Sequence, residues 1–129
     1  MGLNIAIDTN KYRDFVEGDP GTLEIFQRAE RIHVPLIVIA ELRAGFAAGR
    51  YRDENEAVFE TFMHRPRVQA LLPDRDTTRH YAELYQRLRR AGTPIPVSDL
   101  WIASLVLQHD LILYTRDKHF YAIAYLPKL

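Results

Sequence analysis

Short apolar, β-branched runs recur along this chain with helix-forming stretches between them, and that alternation narrows the possible folds more than any other feature. Leu3–Ile7 is the first run, and it ends on Asp8-Thr9-Asn10, residue types that favour turns and helix caps. Asp19-Pro20 starts a helix, with the acid at the N-cap and proline at the first helical position. Leu23, Phe26, Ala29 and Ile32 follow at helical spacing, so a helix is expected over about Pro20–Arg31. Ile32–Ile39 is the second strand run; it feeds a helix near Leu36 to Ile39, and the helix formers from Ala40 onward close on Gly49. Asp53–His64 carries Val58, Phe59, Phe62 and Met63 on one face, and Val68–Leu72 reads as another strand. Thr77 or Thr78 is expected to cap a helix with the stripe Tyr81, Leu84, Tyr85 and Leu88 and with Gly92 just past its end. After Pro94 and Pro96 come a helix over Ser98–His109, the strand Leu111–Tyr114, a turn over Thr115–His119 and a weak strand near Ala122–Leu126.

Strands that alternate with helices imply right-handed crossovers and a mostly parallel central sheet flanked by helices, an α/β fold in three layers. At 129 residues the chain fits one domain, 1–129, and a domain of that size buries about two-thirds of its unfolded surface. The 17 basic and 17 acidic side chains balance, which argues against a protein that adheres to nucleic acid over its whole surface but leaves room for a local basic rim. No cysteine is present, so disulfides, thiolate zinc sites and a cysteine nucleophile are excluded. The start MGLNIAIDTN has no basic flank or long apolar core, and no apolar run approaches the ~18 residues of a membrane span. A cytoplasmic protein that does not engage membranes is the expectation.

The most apolar stretch, IPVSDLWIASLVLQHDLILYTRD, has an acid at its head. In an open parallel sheet, ligands bind in the crevice beyond the carboxyl ends of the strands, and four acids fall there by position. Asp8 ends the first strand, Glu41 lies early in the helix after the second, Asp99 opens the penultimate helix, and Asp117 follows Leu111–Tyr114. Each alone has an ordinary explanation as a turn residue, a solvated helix residue, a partner of the helix dipole or a turn corner. Their conjunction in apolar segments does not, because surface acids rarely sit in such company. Carboxylates gathered in one pocket repel one another unless a cation is present, and hard divalent ions such as Mg²⁺ and Mn²⁺ prefer oxygen ligands.

The segments IAIDTN, VIAELRAG, PIPVSDLWIAS and LILYTRDKHF, in this order and spacing, resemble the four acidic motifs of PIN-domain nucleases, most closely the VapC-type toxins of toxin-antitoxin modules. The resemblance implies a PIN-like sandwich and places the metal-binding and catalytic carboxylates on Asp8, Glu41, Asp99 and Asp117. It places supporting hydroxyls on Thr9 and Thr115. Ser98 stands where relatives often have Asn, a change expected to affect only the helix cap. His119 precedes Phe120 where many relatives carry a further acid, which leaves Asp117 as the only acid on that turn and implies a weak second metal.

The function so implied is that of a toxin: a divalent-metal-dependent endoribonuclease that hydrolyses RNA phosphodiesters with metal-activated water, using one or two Mg²⁺ or Mn²⁺ ions. Products with 5′-phosphate and 3′-hydroxyl ends are expected. The five histidines show no pairing in the sequence and none is required. An acidic pocket repels phosphate, so cations must hold the RNA, and Lys11, Arg43 and Arg116 are the first candidates, ahead of Arg13, Lys118 and the cluster Arg87, Arg89 and Arg90. Tyr12 or His119 could stack an unpaired base. Trp101, Tyr81 and Tyr85 read as core or dimer contacts. The family also implies a homodimer, inhibited by an antitoxin whose C-terminal segment lies beside the active site, in some cases within a larger assembly. Two other classes remain. A signalling receiver needs an adjacent acidic pair after the first strand and an acid after a middle strand, and the sequence has neither; a catalytically silent module would keep the fold only to dock a protein partner.

Overall fold

The computed structural model describes residues 2–129. β1 (Leu3–Ile7) leads directly into α1 (Thr9–Val16), followed by α2 (Pro20–Arg28), β2 (Ala29–Pro35), α3 (Leu36–Ala48), α4 (Arg52–Met63), β3 (Val68–Leu71), α5 (Arg75–Ala91), α6 (Val97–Gln108), β4 (Ile112–Tyr114) and a 3-10 helix over Lys118–Ala122. The four strands form one sheet in the order β3-β2-β1-β4. Every pairing is parallel, with Ile5 opposite both Ile32 and Ile112, and His33 opposite Gln69. The parallel α/β reading therefore holds. β1 lies between two neighbours, and Ile5, Ala6 and Ile7 have no exposed surface.

Several boundaries differ from the sequence expectation, each for an identifiable physical reason. The segment after Asp8 is a helix, α1, rather than a turn. Eight residues are too few to be helical alone, but Tyr12 and Phe15 insert into an aromatic cluster with Phe26, Phe59 and Phe62, whose ring centroids lie 4.8–6.1 Å apart. The helix from Pro20 stops at Arg28, and β2 starts at Ala29, opposite Leu3. The Arg67 guanidinium, donating to the carbonyls of Phe26 and Ala29, satisfies groups freed at that junction. β2 then ends at Pro35, which has no N–H for the ladder and serves as N-cap of α3, so Leu36–Ile39 are helical despite the β-branching of Ile37, Val38 and Ile39.

Asp74, not Thr77 or Thr78, caps α5. Its carboxylate accepts from the Thr77 backbone N–H at 3.1 Å while the Thr77 hydroxyl accepts from the Asp74 N–H at 2.9 Å. Gly92, left-handed at φ 74°, closes the helix as expected. At the C-terminal end, Ala122–Leu126 is not a strand. Phe120, Ile123 and Leu126 are buried at three-residue spacing, a 3-10 period rather than the two-residue period of a strand, and among the described residues the only pairing nearby is an isolated bridge between Leu113 and Lys128.

α6 mounts the site. Leu100, Ile102, Ala103, Ser104, Leu105 and Val106 are all buried, so the helix is apolar on every side and is packed against α5, α3 and β4. Ser98 does not cap it: the N-cap is Pro96, with no side-chain hydrogen bond, and Ser98 lies within the first turn.

Candidate active site

Topology sets the crevice. From β1 the chain crosses to β2 on one side and returns to β4 on the other, so the direction of winding reverses between β1 and β4, where an open parallel sheet leaves a cleft at its carboxyl edge. Asp8 follows β1 and Thr115 follows β4. They meet across the cleft: the Thr115 hydroxyl donates to Asp8 Oδ2 at 2.5 Å. The Thr115 hydroxyl oxygen in turn accepts the Asp117 backbone N–H at 2.9 Å, so one hydroxyl fixes a carboxylate from the N-terminal end and a turn from the C-terminal end.

Asp8 is 5% exposed and caps α1 by accepting the Lys11 N–H at 3.0 Å. Burial pushes its carboxyl above the ordinary value of 3.8, the bonds from Thr115 and Lys11 pull it back, and the charge of Asp117 adds to the rise. Asp99 stands in the first turn of α6 and is 9% exposed. Burial raises it too, the charges of Asp117 and Glu41 raise it further, and His119 opposes them. Asp117 caps the 3-10 helix through the His119 N–H at 2.9 Å. Glu41 is on the exposed side of α3 and accepts from the Thr9 hydroxyl at 3.3 Å.

All four acids predicted from the sequence therefore face one edge, with unequal intimacy. Asp99, Asp117 and His119 form the tight group, whose potential ligand atoms all lie within 4.8 Å of one another. Asp8 joins them through Thr115, and Glu41 stands at the border, held by Thr9 and acting on Asp99 through its charge. Thr9 and Thr115 each donate a hydroxyl to a carboxylate, and Ser98 contacts none among the described hydrogen bonds.

His119 is the residue whose position the sequence did not reveal. Its Nδ1 lies 3.1 Å from Asp99 Oδ2 and 3.1 Å from Asp117 Oδ1, so a histidine expected to have no partner has two. The available signal was the Asp-x-His spacing after a strand, which lets a capping acid and the histidine two residues on share one edge. Asp14 was also missed: it receives Arg116 at 3.0 and 3.2 Å and Lys11 at 3.5 Å.

The cations expected to meet RNA are thus each engaged with an acid. Lys11 is buried in the wall, 4.3 Å above the Tyr114 ring, rather than on the rim. Arg43 is 2.6 Å from Glu60 and 3.7 Å from Glu56, and Arg116 is on Asp14; both remain about half exposed. Tyr12 cannot stack a base, because its ring is inside the aromatic cluster and burial pushes its phenol up to about 12. Trp101 packs on Tyr81 at 4.7 Å, and Tyr81 on Tyr85 at 6.4 Å. Trp101 also lines an apolar groove of about 220 Å³ with Leu36, Ile37, Ala40, Pro73 and Leu105.

The family model described as PIN domain matches residues 5–126. Among curated proteins, the chain is similar to VapC ribonuclease Y4jK of Sinorhizobium fredii, 29% identical over 88% of this chain and 86% of that one. It is also similar to Ribonuclease VapC5 of Mycobacterium tuberculosis, 29% identical over 73% of this chain and 70% of the other. Among solved structures, a DNA-bound VapBC from Salmonella typhimurium superposes with a TM-score of 0.88 at 25% identity, covering 98% of this chain and 97% of that one. VapBC-1 from nontypeable Haemophilus influenzae gives 0.84 at 26% identity, covering 97% and 96%.

Proposed function

The chain belongs to the PIN-domain family, and on that premise we propose that it is a divalent-metal-dependent endoribonuclease, the toxin of a toxin-antitoxin pair, acting as one domain in the cytoplasm. The observation that carries the reading is the convergence of Asp8, Asp99 and Asp117, two of them buried and held above their ordinary carboxyl value, at the switch point of a parallel sheet. The names of the relatives, ribonucleases and VapBC complexes, support the same reading.

The donor set fits a hard divalent ion. Carboxylate oxygens dominate, they stand at one edge, and their mutual repulsion raises the carboxyl of Asp99 in a way that a cation would relieve. Asp8, Glu41, Asp99 and Asp117 would hold Mg²⁺ or Mn²⁺, one ion or two. When bound, such an ion acidifies a water and offsets charge on the leaving oxygen. The protein's own residues do the rest. Thr115 holds Asp8 Oδ2 in place and leaves its other oxygen to the Lys11 N–H, so the carboxylate cannot rotate. The N-terminal dipole of α6 favours the ionised form of Asp99 against its burial, and Thr9 steers Glu41 toward the edge. Arg43 and Arg116, half exposed, are the cations that meet the RNA phosphates, while Lys11 supports the wall from below.

The partner is a cognate antitoxin that offers a basic residue to the same carboxylates, and the toxin pairs as a homodimer, in isolation or within a larger assembly with that antitoxin. The test is RNA cleavage by the purified, antitoxin-free chain with Mg²⁺ or Mn²⁺. Activity lost in excess EDTA and in Asp8→Asn and Asp99→Asn, with 5′-phosphate ends on the products, is the expected result. Equal cleavage under those conditions overturns it, and metal binding without cleavage of any RNA would leave a silent docking module.

A further inference from the structure

His119 places an imidazole nitrogen among oxygens. The position is built rather than accidental: the His119 backbone N–H donates to Asp117 Oδ1 at 2.9 Å, and the next residue, Phe120, is fully buried, so the turn is anchored on both sides of the histidine. Its side chain is 56% exposed, free to swing into water, yet Nδ1 is turned inward to lie 3.1 Å from both Asp99 Oδ2 and Asp117 Oδ1. An octahedral ion with bonds of about 2.1 Å requires neighbouring donors roughly 3 Å apart. The two spacings at Nδ1 match that requirement.

We propose that His119 is a nitrogen ligand of the metal centre and that it moves the preference of the centre from Mg²⁺ toward Mn²⁺ and other cations that accept imidazole. The proposal rests on the metal-dependent reading above. Its physical basis is ligand softness: Mg²⁺ takes carboxylate, carbonyl and water oxygens and gains little from imidazole, whereas first-row transition ions bind imidazole well. Removal of the imidazole should therefore weaken the transition ion and spare Mg²⁺, which keeps Asp8, Glu41, Asp99 and Asp117. A histidine that only hydrogen-bonds the two carboxylates would affect both ions alike.

Mn²⁺ and Mg²⁺ are titrated separately by calorimetry into the purified, partner-free chain as wild type, His119→Ala, His119→Asp and Asp99→Asn. The wild type is expected to bind Mn²⁺ more tightly than Mg²⁺. His119→Ala should lose about tenfold in Mn²⁺ affinity with Mg²⁺ affinity within about twofold of wild type, and His119→Asp should lower the Mn²⁺ to Mg²⁺ affinity ratio. Pulsed EPR of the Mn²⁺-loaded wild type should show coupling to one imidazole nitrogen that disappears in His119→Ala. An unchanged affinity ratio in His119→Ala, or no nitrogen coupling in the wild type, overturns the proposal. Asp99→Asn separates the two levels. If it abolishes binding of both ions while His119→Ala changes neither, the metal centre stands and the nitrogen ligand falls; if it alters neither affinity, the metal centre itself is not at this edge.

Discussion

Burial and neighbouring charge hold the carboxyls of Asp8 and Asp99 above 3.8, so in metal-free protein the folded chain binds protons there more tightly than the unfolded chain does. Stability then falls as pH rises from 3.8 through the raised values, and the whole penalty is present above them. Asp99→Asn removes the charge and keeps the shape. Its metal-free melting temperature should exceed that of wild type at pH 7, and the difference should vanish below pH 3.8, where the wild-type carboxyl is neutral in both states; a lower melting temperature at pH 7 would contradict a crowded acidic edge. Thr115 gives a second prediction. Thr115→Val keeps the volume but frees Asp8 Oδ2, and calorimetry should find divalent affinity lowered about 10–100-fold, the usual effect of losing the group that orients a ligand. At this scale the sequence was informative about acids and hydroxyls because each lies at the end of a strand or the head of a helix, where position in the fold follows from order. It was silent about His119, whose partners are 20 residues away and two residues away and depend on how one turn is folded.

The strongly patterned elements were legible and the short ones were not. α5 and α6 are long enough for a capping acid, a terminal glycine or a sustained apolar run to mark them, although the cap of α5, Asp74, lay ahead of the expected Thr77 or Thr78. α1 has only Tyr12 and Phe15 to mark its apolar face, and its stability comes from residues on α2 and α4 that no local pattern connects to it. Phe62 touches the rings of Tyr12, Phe15 and Phe26, so it is the common support of that helix. Phe62→Ala should cost about 3–5 kcal/mol in chemical denaturation, as large buried truncations do. Because Asp8 caps α1, the same change should also weaken divalent binding in whatever fraction remains folded. Asp74→Ala, by contrast, should cost about 1 kcal/mol and leave metal affinity unchanged, since α5 bears no ligand.

The order β3-β2-β1-β4 places the cleft without reference to any acid, and an alternation of strands and helices was enough to anticipate a parallel sheet but not which strands flank the reversal. That order depends on packing of whole layers, which sequence spacing does not encode. The apolar groove beside Trp101 belongs to this scale too. Leu36 at its edge is 44% exposed, so Leu36→Glu should fold normally by circular dichroism; sedimentation should show a dimer for wild type and a monomer for this variant if the groove is the face on which two copies pair.

The bond from Thr115 to Asp8 spans 107 positions of sequence. Its consequence is temporal. A chain growing on the ribosome has Asp8 and Glu41 long before Asp99, Thr115 and Asp117 exist, so every length that stops short of Thr115 lacks at least one of the four carboxylates and the hydroxyl that aligns the first one. Such a nascent chain has no complete site, and the site closes only when the last strand slots in beside the first. Keeping the two halves of the proposed site so far apart in sequence delays their union until synthesis has passed Asp117.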